Sequence, residues 1–332
     1  MSGSGSPSHG RPGQLPVPAF KVDLTAPDLA AWLPGNTGIP GFTSREAPLP
    51  GPHVVLLALT HGNEIAGAIV LDRLLRAGVR PERGRLTFGF ANIAAYRSFD
   101  PAQPTVSRFM DEDLNRVWDT TLLDGPRRSI ELDRAREMRP LIDRADIVLD
   151  LHSMLWPSEP LILCGATPRG RGLARGIGTP ALSVADRGHL TGRRLIDYPR
   201  FAEDGTAAAV LVEAGQHWAK PTAEICLASV AGVLRHSGVV TGHPLLPVPR
   251  LLAPRASATR HAEVTDAVTA ATAAFSFMRG YHGGEVIPRR NSIIALDGET
   301  EIRTPYDNCL LVMPNLRPSR GHTAVRLARF VD

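Results

Sequence analysis

His61 and Glu64 stand three residues apart in His61-Gly62-Asn63-Glu64, where an apolar run gives way to a helix-like pattern. An imidazole and a carboxylate at that spacing, on a strand-to-helix turn, can point into one crevice. With a third ligand they would form a catalytic zinc site, because two His and one carboxylate leave a coordination position open for water or substrate. His152 is the candidate third ligand and closes the apolar stretch Ile147-Val148-Leu149-Asp150-Leu151. Asp150 precedes it by two residues, which puts both side chains on one face of a strand. There the carboxylate can accept the free ring N–H of a ligating His and fix its tautomer. Glu213 closes a second apolar run, Ala209-Val210-Leu211-Val212, and the small residues Ala214-Gly215 follow it. A glutamate so placed can take a proton from a metal-bound water and pass it to a leaving amine. Arg108 and Arg116 bracket a third segment; their guanidinium forks suit a carboxylate or a developing oxyanion, and Asn115 adds a neutral donor. Each feature has a plainer reading: a capping or packing His, a salt-bridged Glu213, a solvated mixed-charge loop from 108 to 116. The position of His61, Glu64, His152 and Glu213 at strand ends favours the chemical reading for those four, whereas the 108–116 loop taken alone favours the plainer one.

The elements that must position these residues follow from hydrophobic periodicity. Continuous apolar runs at 53–60, 84–91, 146–151, 160–164 and 208–213 read as buried strands, and 65–77, 129–144 and 219–237 as helices. This alternation predicts an α/β fold: a mostly parallel mixed sheet with helices on both faces. In such sheets ligands bind beyond the carboxyl ends of the strands, where His61, Glu64, His152 and Glu213 fall. The stretch 98–114 has little periodicity, which in a compact domain points to a functional loop. After a proline-rich stretch at 243–254, short β-like segments at 292–296, 300–303 and 309–313 alternate with turn signals. The expected organisation is a disordered tail at 1–16, a catalytic α/β domain at 17–245, a linker at 246–259 and a β-rich C-terminal domain at 260–332.

The bulk composition narrows the classes. With 332 residues, 43% hydrophobic and 21% charged, the chain reads as globular. No apolar run reaches the roughly 18 residues of a membrane helix. The net charge of +4 is modest and its basic residues are scattered, which argues against nucleic acid as a partner. The three cysteines are too far apart for a disulfide framework or a cysteine-built zinc site, so a cytoplasmic location is expected.

Taken together, His61-Gly62-Asn63-Glu64, the Arg108 to Arg116 segment with its Asp-Leu-Asn-Arg core, Asp150-Leu151-His152-Ser153 and Val212-Glu213-Ala214-Gly215 resemble the succinylglutamate desuccinylase and aspartoacylase family, relatives of the zinc carboxypeptidases. Order and spacing agree across 54–218, and the C-terminal part resembles the family's β domain. The resemblance implies one zinc ion per chain held by His61, Glu64 and His152, with Glu213 as general base and acid. It implies that Arg108 polarises the scissile carbonyl and that Asn115 and Arg116 grip the substrate's α-carboxylate. Arg193 and Arg194 are the candidates for a further arginine that reads a substrate side chain, and Tyr306 is matched to a C-terminal tyrosine that reaches the substrate. The loop from 92 to 108 is longer than the family pattern. The implied activity is amide hydrolysis of a small anionic N-acyl amino acid, with a homo-oligomer as a possible assembly. The alternatives are a zinc metallocarboxypeptidase acting on peptides and a non-catalytic zinc or carboxylate-binding module, against which Glu213 speaks.

Overall fold

A computed structural model describes residues 20–186, 192–203, 205–246 and 259–331. The expected tail at 1–16 and residues 247–258 of the expected linker lie outside the described residues. In chain order the elements are β1 (Phe42–Glu46), β2 (His53–Ala58), α1 (Ile65–Arg76), β3 (Arg85–Phe90), α2 (Ile93–Arg97), α3 (Thr120–Asp124), α4 (Ile130–Ile142), β4 (Ile147–Met154), β5 (Leu161–Leu163), α5 (Pro168–Ile177), β6 (Leu182–Ala185), α6 (Pro199–Ala202), β7 (Ala208–Gln216) and α7 (Lys220–Ser237). An all-β part follows: β8 (Arg260–Thr269), β9 (Phe275–Phe277), β10 (Val286–Ile287), β11 (Ile293–Asp297), β12 (Thr300–Arg303), β13 (Cys309–Val312) and β14 (Thr323–Val331).

The main sheet has eleven strands in the order β1-β3-β2-β4-β7-β5-β6-β8-β14-β13-β10. Its centre, β3-β2-β4-β7, is parallel throughout. Strands buried on both faces carry apolar residues on both, which is why these runs are nearly continuous rather than alternating. The period of two still sorts them. Val54, Leu56 and Ala58 enter a core with α1, α5 and α7, whereas Val55 and Leu57 enter a second core with α4 on the opposite face. Helix α1 lies close against the sheet at Gly67, where a Cβ would come within 2.9 Å of Leu151 Cβ and 3.1 Å of Ala58 Cβ.

The C-terminal part is β-structured, as its turn-rich pattern predicts, but it is not set apart by its sheet. Strand β8 pairs in parallel with β6, Leu182 opposite Arg260 through Ala185 opposite Glu263, so β8, β14, β13 and β10 extend the main sheet. The pairing satisfies the β6 edge, whose unpaired backbone groups would otherwise invite association. A small antiparallel sheet, β12-β11-β9, stands beside it and shares a third core with β13 and β14.

Candidate metal centre

The register of the parallel strands brings the predicted site together. Ala58 of β2 sits opposite Leu151 of β4, and His152 of β4 sits opposite Glu213 of β7. Asp150, His152 and Glu213 fall on the face that begins with Val148, Ala209 and Leu211. Beyond β2 the chain turns through Leu59, at φ 62°, into the loop that carries His61 and ends at Glu64, which caps α1. Gly62 is required there by close approach: a Cβ would lie 2.4 Å from Ala95 C and 2.6 Å from Ser107 O.

His61, Glu64 and His152 are all buried, and one ligand atom from each lies within 4.8 Å of the others. His61 Nδ1 is 2.7 Å from Glu64 Oε1, and His152 Nδ1 is 3.0 Å from Glu64 Oε2. The opposite ring nitrogens each meet an aspartate: His152 Nε2 lies 2.8 Å from Asp150 Oδ2, and His61 Nε2 lies 2.9 Å from Asp113 Oδ1. An aspartate at Nε2 favours the tautomer with the proton there; in that tautomer the two Nδ1 lone pairs and the Glu64 carboxylate converge on one point. That donor set fits a divalent cation of the zinc type. Burial would lower the His152 pKa, but Asp150 and Glu64 outweigh it and raise it well above the ordinary value. Burial likewise pushes Glu64 up, while His61 and His152 hold it well below the carboxylate range.

Asp113 was not singled out by spacing. It belongs to a loop whose return over His61 depends on distant contacts. Gly62 N–H donates to Arg108 O at 3.1 Å. Glu131, fully buried in the first turn of α4, accepts the backbone N–H groups of Met110, Asp111 and Glu112 at 2.7, 3.0 and 3.2 Å. Thr60 Oγ1 donates to the outer oxygen of Asp150 at 2.9 Å. Asp150→Asn is expected to weaken metal binding by roughly 10- to 100-fold, because the amide cannot serve as the same charged acceptor. Competition against a chromophoric chelator measures this, and unchanged affinity would remove Asp150 from the support of His152.

Glu213 is buried, and its Oε2 has no hydrogen-bond partner. Burial, aided by the Glu64 and Asp150 charges, pushes its carboxyl up to about 8 against the pull of His152 and Arg108. A polar atom orphaned beside the triad is satisfied by a water or a substrate group.

The triad and Glu213 border a cavity of about 340 Å³ that Arg108, Asn115, Arg116 and Arg194 also line. Arg108 Nη2 donates to Asp113 Oδ2 at 3.1 Å and lies 2.9 Å from His61 Nε2. Asn115 Oδ1 accepts Leu195 N–H at 2.9 Å, an anchor that fixes the side-chain amide at the cavity wall. Burial lowers the Arg116 pKa to about 10, and the charges of Arg108, Arg194 and Arg326 add to that against Asp113.

The structure separates the remaining expected residues. Arg194 reaches the cavity, but its fork is held by Asp197 at 2.5 and 3.0 Å and by Asp186 at 3.2 Å. Arg193 does not line it; half-exposed, it pairs with Asp119 at 3.2 Å. Tyr306 is also elsewhere. Its hydroxyl contacts Thr265 Oγ1 at 2.6 Å, its ring lies 4.4 Å from the Arg329 guanidinium carbon, and it borders a different cavity, so the expected substrate role is corrected. The cause is pairing: the loop before β13 lies over the β8 and β14 strands, away from the carboxyl ends of β2, β4 and β7. The C-terminal part instead contributes Met313, Pro314, Asn315, Thr323 and Arg326 to the cavity wall. Arg326 was legible in principle only as one of two charges, with Arg329, in the otherwise apolar β14 run. Ser153 and His217, which also border the cavity, carried no such mark.

Residues 50–172 match the profile of the succinylglutamate desuccinylase/aspartoacylase catalytic domain. Among curated relatives, the succinylglutamate desuccinylase of Pseudomonas fluorescens (strain Pf0-1) is 32% identical over 152 residues, 43% of this chain and 42% of that protein. The aspartoacylase of Mus musculus is 30% identical over 121 residues, 34% of this chain and 37% of that protein. The match thus spans less than half the length of these relatives. Among solved structures, a succinylglutamate desuccinylase/aspartoacylase from Rhodobacter sphaeroides superposes with a TM-score of 0.64 at 21% identity, over 88% of this chain and 89% of that one. Succinylglutamate desuccinylase from Vibrio cholerae gives 0.63 at 19% identity, over 86% and 83%. At these identities the structural likeness is one of fold.

Proposed function

Residues 50–172 place the chain in the succinylglutamate desuccinylase/aspartoacylase family, and from that membership we propose that it hydrolyses the amide bond of an N-acyl amino acid at a zinc ion held by His61, Glu64 and His152. The observation that carries this reading is the partnerless Glu213 Oε2 beside a triad of metal-ligand type. Zinc bound there supplies a Lewis acid that polarises the acyl carbonyl and makes water acidic enough to attack near neutral pH.

The rest of the chemistry belongs to the chain. Glu213 Oε2 takes the proton of the attacking water and returns it to the departing amine nitrogen. Arg108, poised by Asp113, donates to the carbonyl oxygen as negative charge develops on it. Arg116 and the Asn115 side-chain amide hold the α-carboxylate and set the amide bond against Glu213. Asp113 and Asp150 hold the two imidazoles in the tautomer that presents Nδ1.

Cavity size favours a small substrate over the peptidase alternative: at about 340 Å³, with Met313, Pro314 and Arg326 forming part of its wall, it suits an acyl amino acid. Three buried free thiols, Cys164, Cys226 and Cys309, support a reducing compartment such as the cytoplasm. Among the described residues no helix is long and apolar enough to cross a membrane.

Arg116→Ala tests the substrate orientation. KM for an N-acyl amino acid is expected to rise by about 10- to 100-fold, consistent with the loss of one charge-assisted pair. KM for the matching α-carboxamide should change little. An equal rise for both substrates would contradict carboxylate recognition by Arg116.

A further inference from the structure

The turn after Glu213 is tied to both loops that carry the triad. The register between β4 and β7 slips after the His152–Glu213 pair, so that Met154 lies opposite Gln216. Gly215 accommodates the slip at φ 124°, a conformation that side chains rarely adopt. Beyond it His217 N–H donates to Met154 O at 2.9 Å. The His217 ring reaches back to Ser153, with Nδ1 2.7 Å from Oγ. Trp218 reaches the other loop, its indole N–H donating to Asn63 O at 3.1 Å. Ser153 and Asn63 each adjoin a triad residue, and Ser153 N–H also donates to Glu64 Oε2 at 3.2 Å. All four residues are buried, and the two rings pack edge to face at 5.2 Å. Burial lowers the His217 pKa to about 4, so the imidazole brings no competing charge to the site. The chemistry described above leaves His217 and Trp218 without a role.

We propose that His217 and Trp218 are positioning residues that lock the His61–Glu64 loop and the His152–Ser153 strand end into one frame, and so set how tightly the triad holds its dication. This rests on the reading of His61, Glu64 and His152 as metal ligands. It differs from general packing support because it acts through two specific hydrogen bonds, one to each ligand-bearing segment. A burial role alone would be served by any apolar side chain of similar volume.

The test is a zinc competition titration on the full chain, comparing wild type with His217→Leu, His217→Asn and Trp218→Phe, together with visible spectra of the cobalt(II) forms. His217→Leu is expected to weaken zinc binding by roughly 10- to 100-fold and to alter the cobalt bands. His217→Asn, whose side-chain amide takes the place of Nδ1 and can again meet Ser153 Oγ, should recover most of the affinity and the wild-type spectrum. Trp218→Phe keeps the ring but loses the indole N–H, and should weaken binding by roughly 10-fold. Wild-type affinity and spectra in His217→Leu and Trp218→Phe would overturn the proposal, as would an Asn variant no better than Leu. If His217→Leu does not fold, Trp218→Phe decides alone, with unchanged affinity overturning the clamp. Failure of the wild type to take up zinc would instead bring down the metal reading on which the clamp depends.

Discussion

Glu213→Gln is expected to lower turnover by about 10²- to 10⁴-fold, the range over which a positioned proton carrier contributes, while zinc content stays at the wild-type level. Glutamine keeps the volume and one acceptor oxygen, so the buried end of β7 loses no packing. It cannot take a proton from water or return one to an amine. The effect belongs in kcat, because the proton moves at the reacting centre rather than in substrate binding. The structural basis is the pairing of His152 with Glu213 across β4 and β7, which sets the carboxyl beside the triad with Oε2 unpartnered. Burial raises the Glu213 pKa, whereas His152, Arg108 and any dication in the triad lower it. The base must be ionised to act, so wild-type kcat/KM should fall on the acid side of the Glu213 pKa, and that limb should vanish in the variant. Amine release assays with parallel metal analysis measure both; unchanged turnover would exclude Glu213 as the proton carrier.

His152→Ala is expected to abolish tight zinc binding and activity together, and to destabilise the metal-free fold by about 3–5 kcal/mol, the usual consequence of removing one partner from a buried charged group. His152 is almost completely buried between Asp150 at 2.8 Å and Glu64 at 3.0 Å. Alanine leaves Asp150 with Thr60 and Glu64 with His61, Arg108 and the Ser153 N–H as compensation. Denaturant unfolding of the chelated proteins checks the stability loss, and chelator competition checks the affinity. A variant that bound zinc as tightly as wild type would show that the ion is held elsewhere.

The strand ends were legible because a parallel strand buried on both faces leaves an uninterrupted apolar run, and that run stops where the chain enters the cleft. For this reason the runs at 53–60, 146–151 and 208–213 fall on β2, β4 and β7, and His61, His152 and Glu213 could be placed relative to one another before their contacts were known. Side-chain support was not legible, since it depends on which segments lie opposite one another. Asp113 meets His61 only because Glu131, on another element, gathers the loop that carries it. His217 meets Ser153 only because the slip at Gly215 turns it back onto the β4 end. Arg326 comes from β14, whose approach to the cavity depends on the pairing of β8 with β6. Tyr306 was misplaced for the same reason: residue type and approximate position do not determine which side of a sheet a loop crosses.

The function proposed for the site has His61, Glu64 and His152 holding a catalytic zinc ion with which Glu213 cleaves the amide of an N-acyl amino acid. It is tested most directly by amine release from a panel that varies acyl group (acetyl, succinyl, formyl) and amino acid separately, measured on chelated protein before and after one equivalent of zinc is restored. The expected result is no release from the chelated protein, release from at least one substrate after zinc is restored, and none from Glu213→Gln carrying the same zinc. Release that is indifferent to zinc, or zinc uptake with no release from any member of the panel, would contradict it.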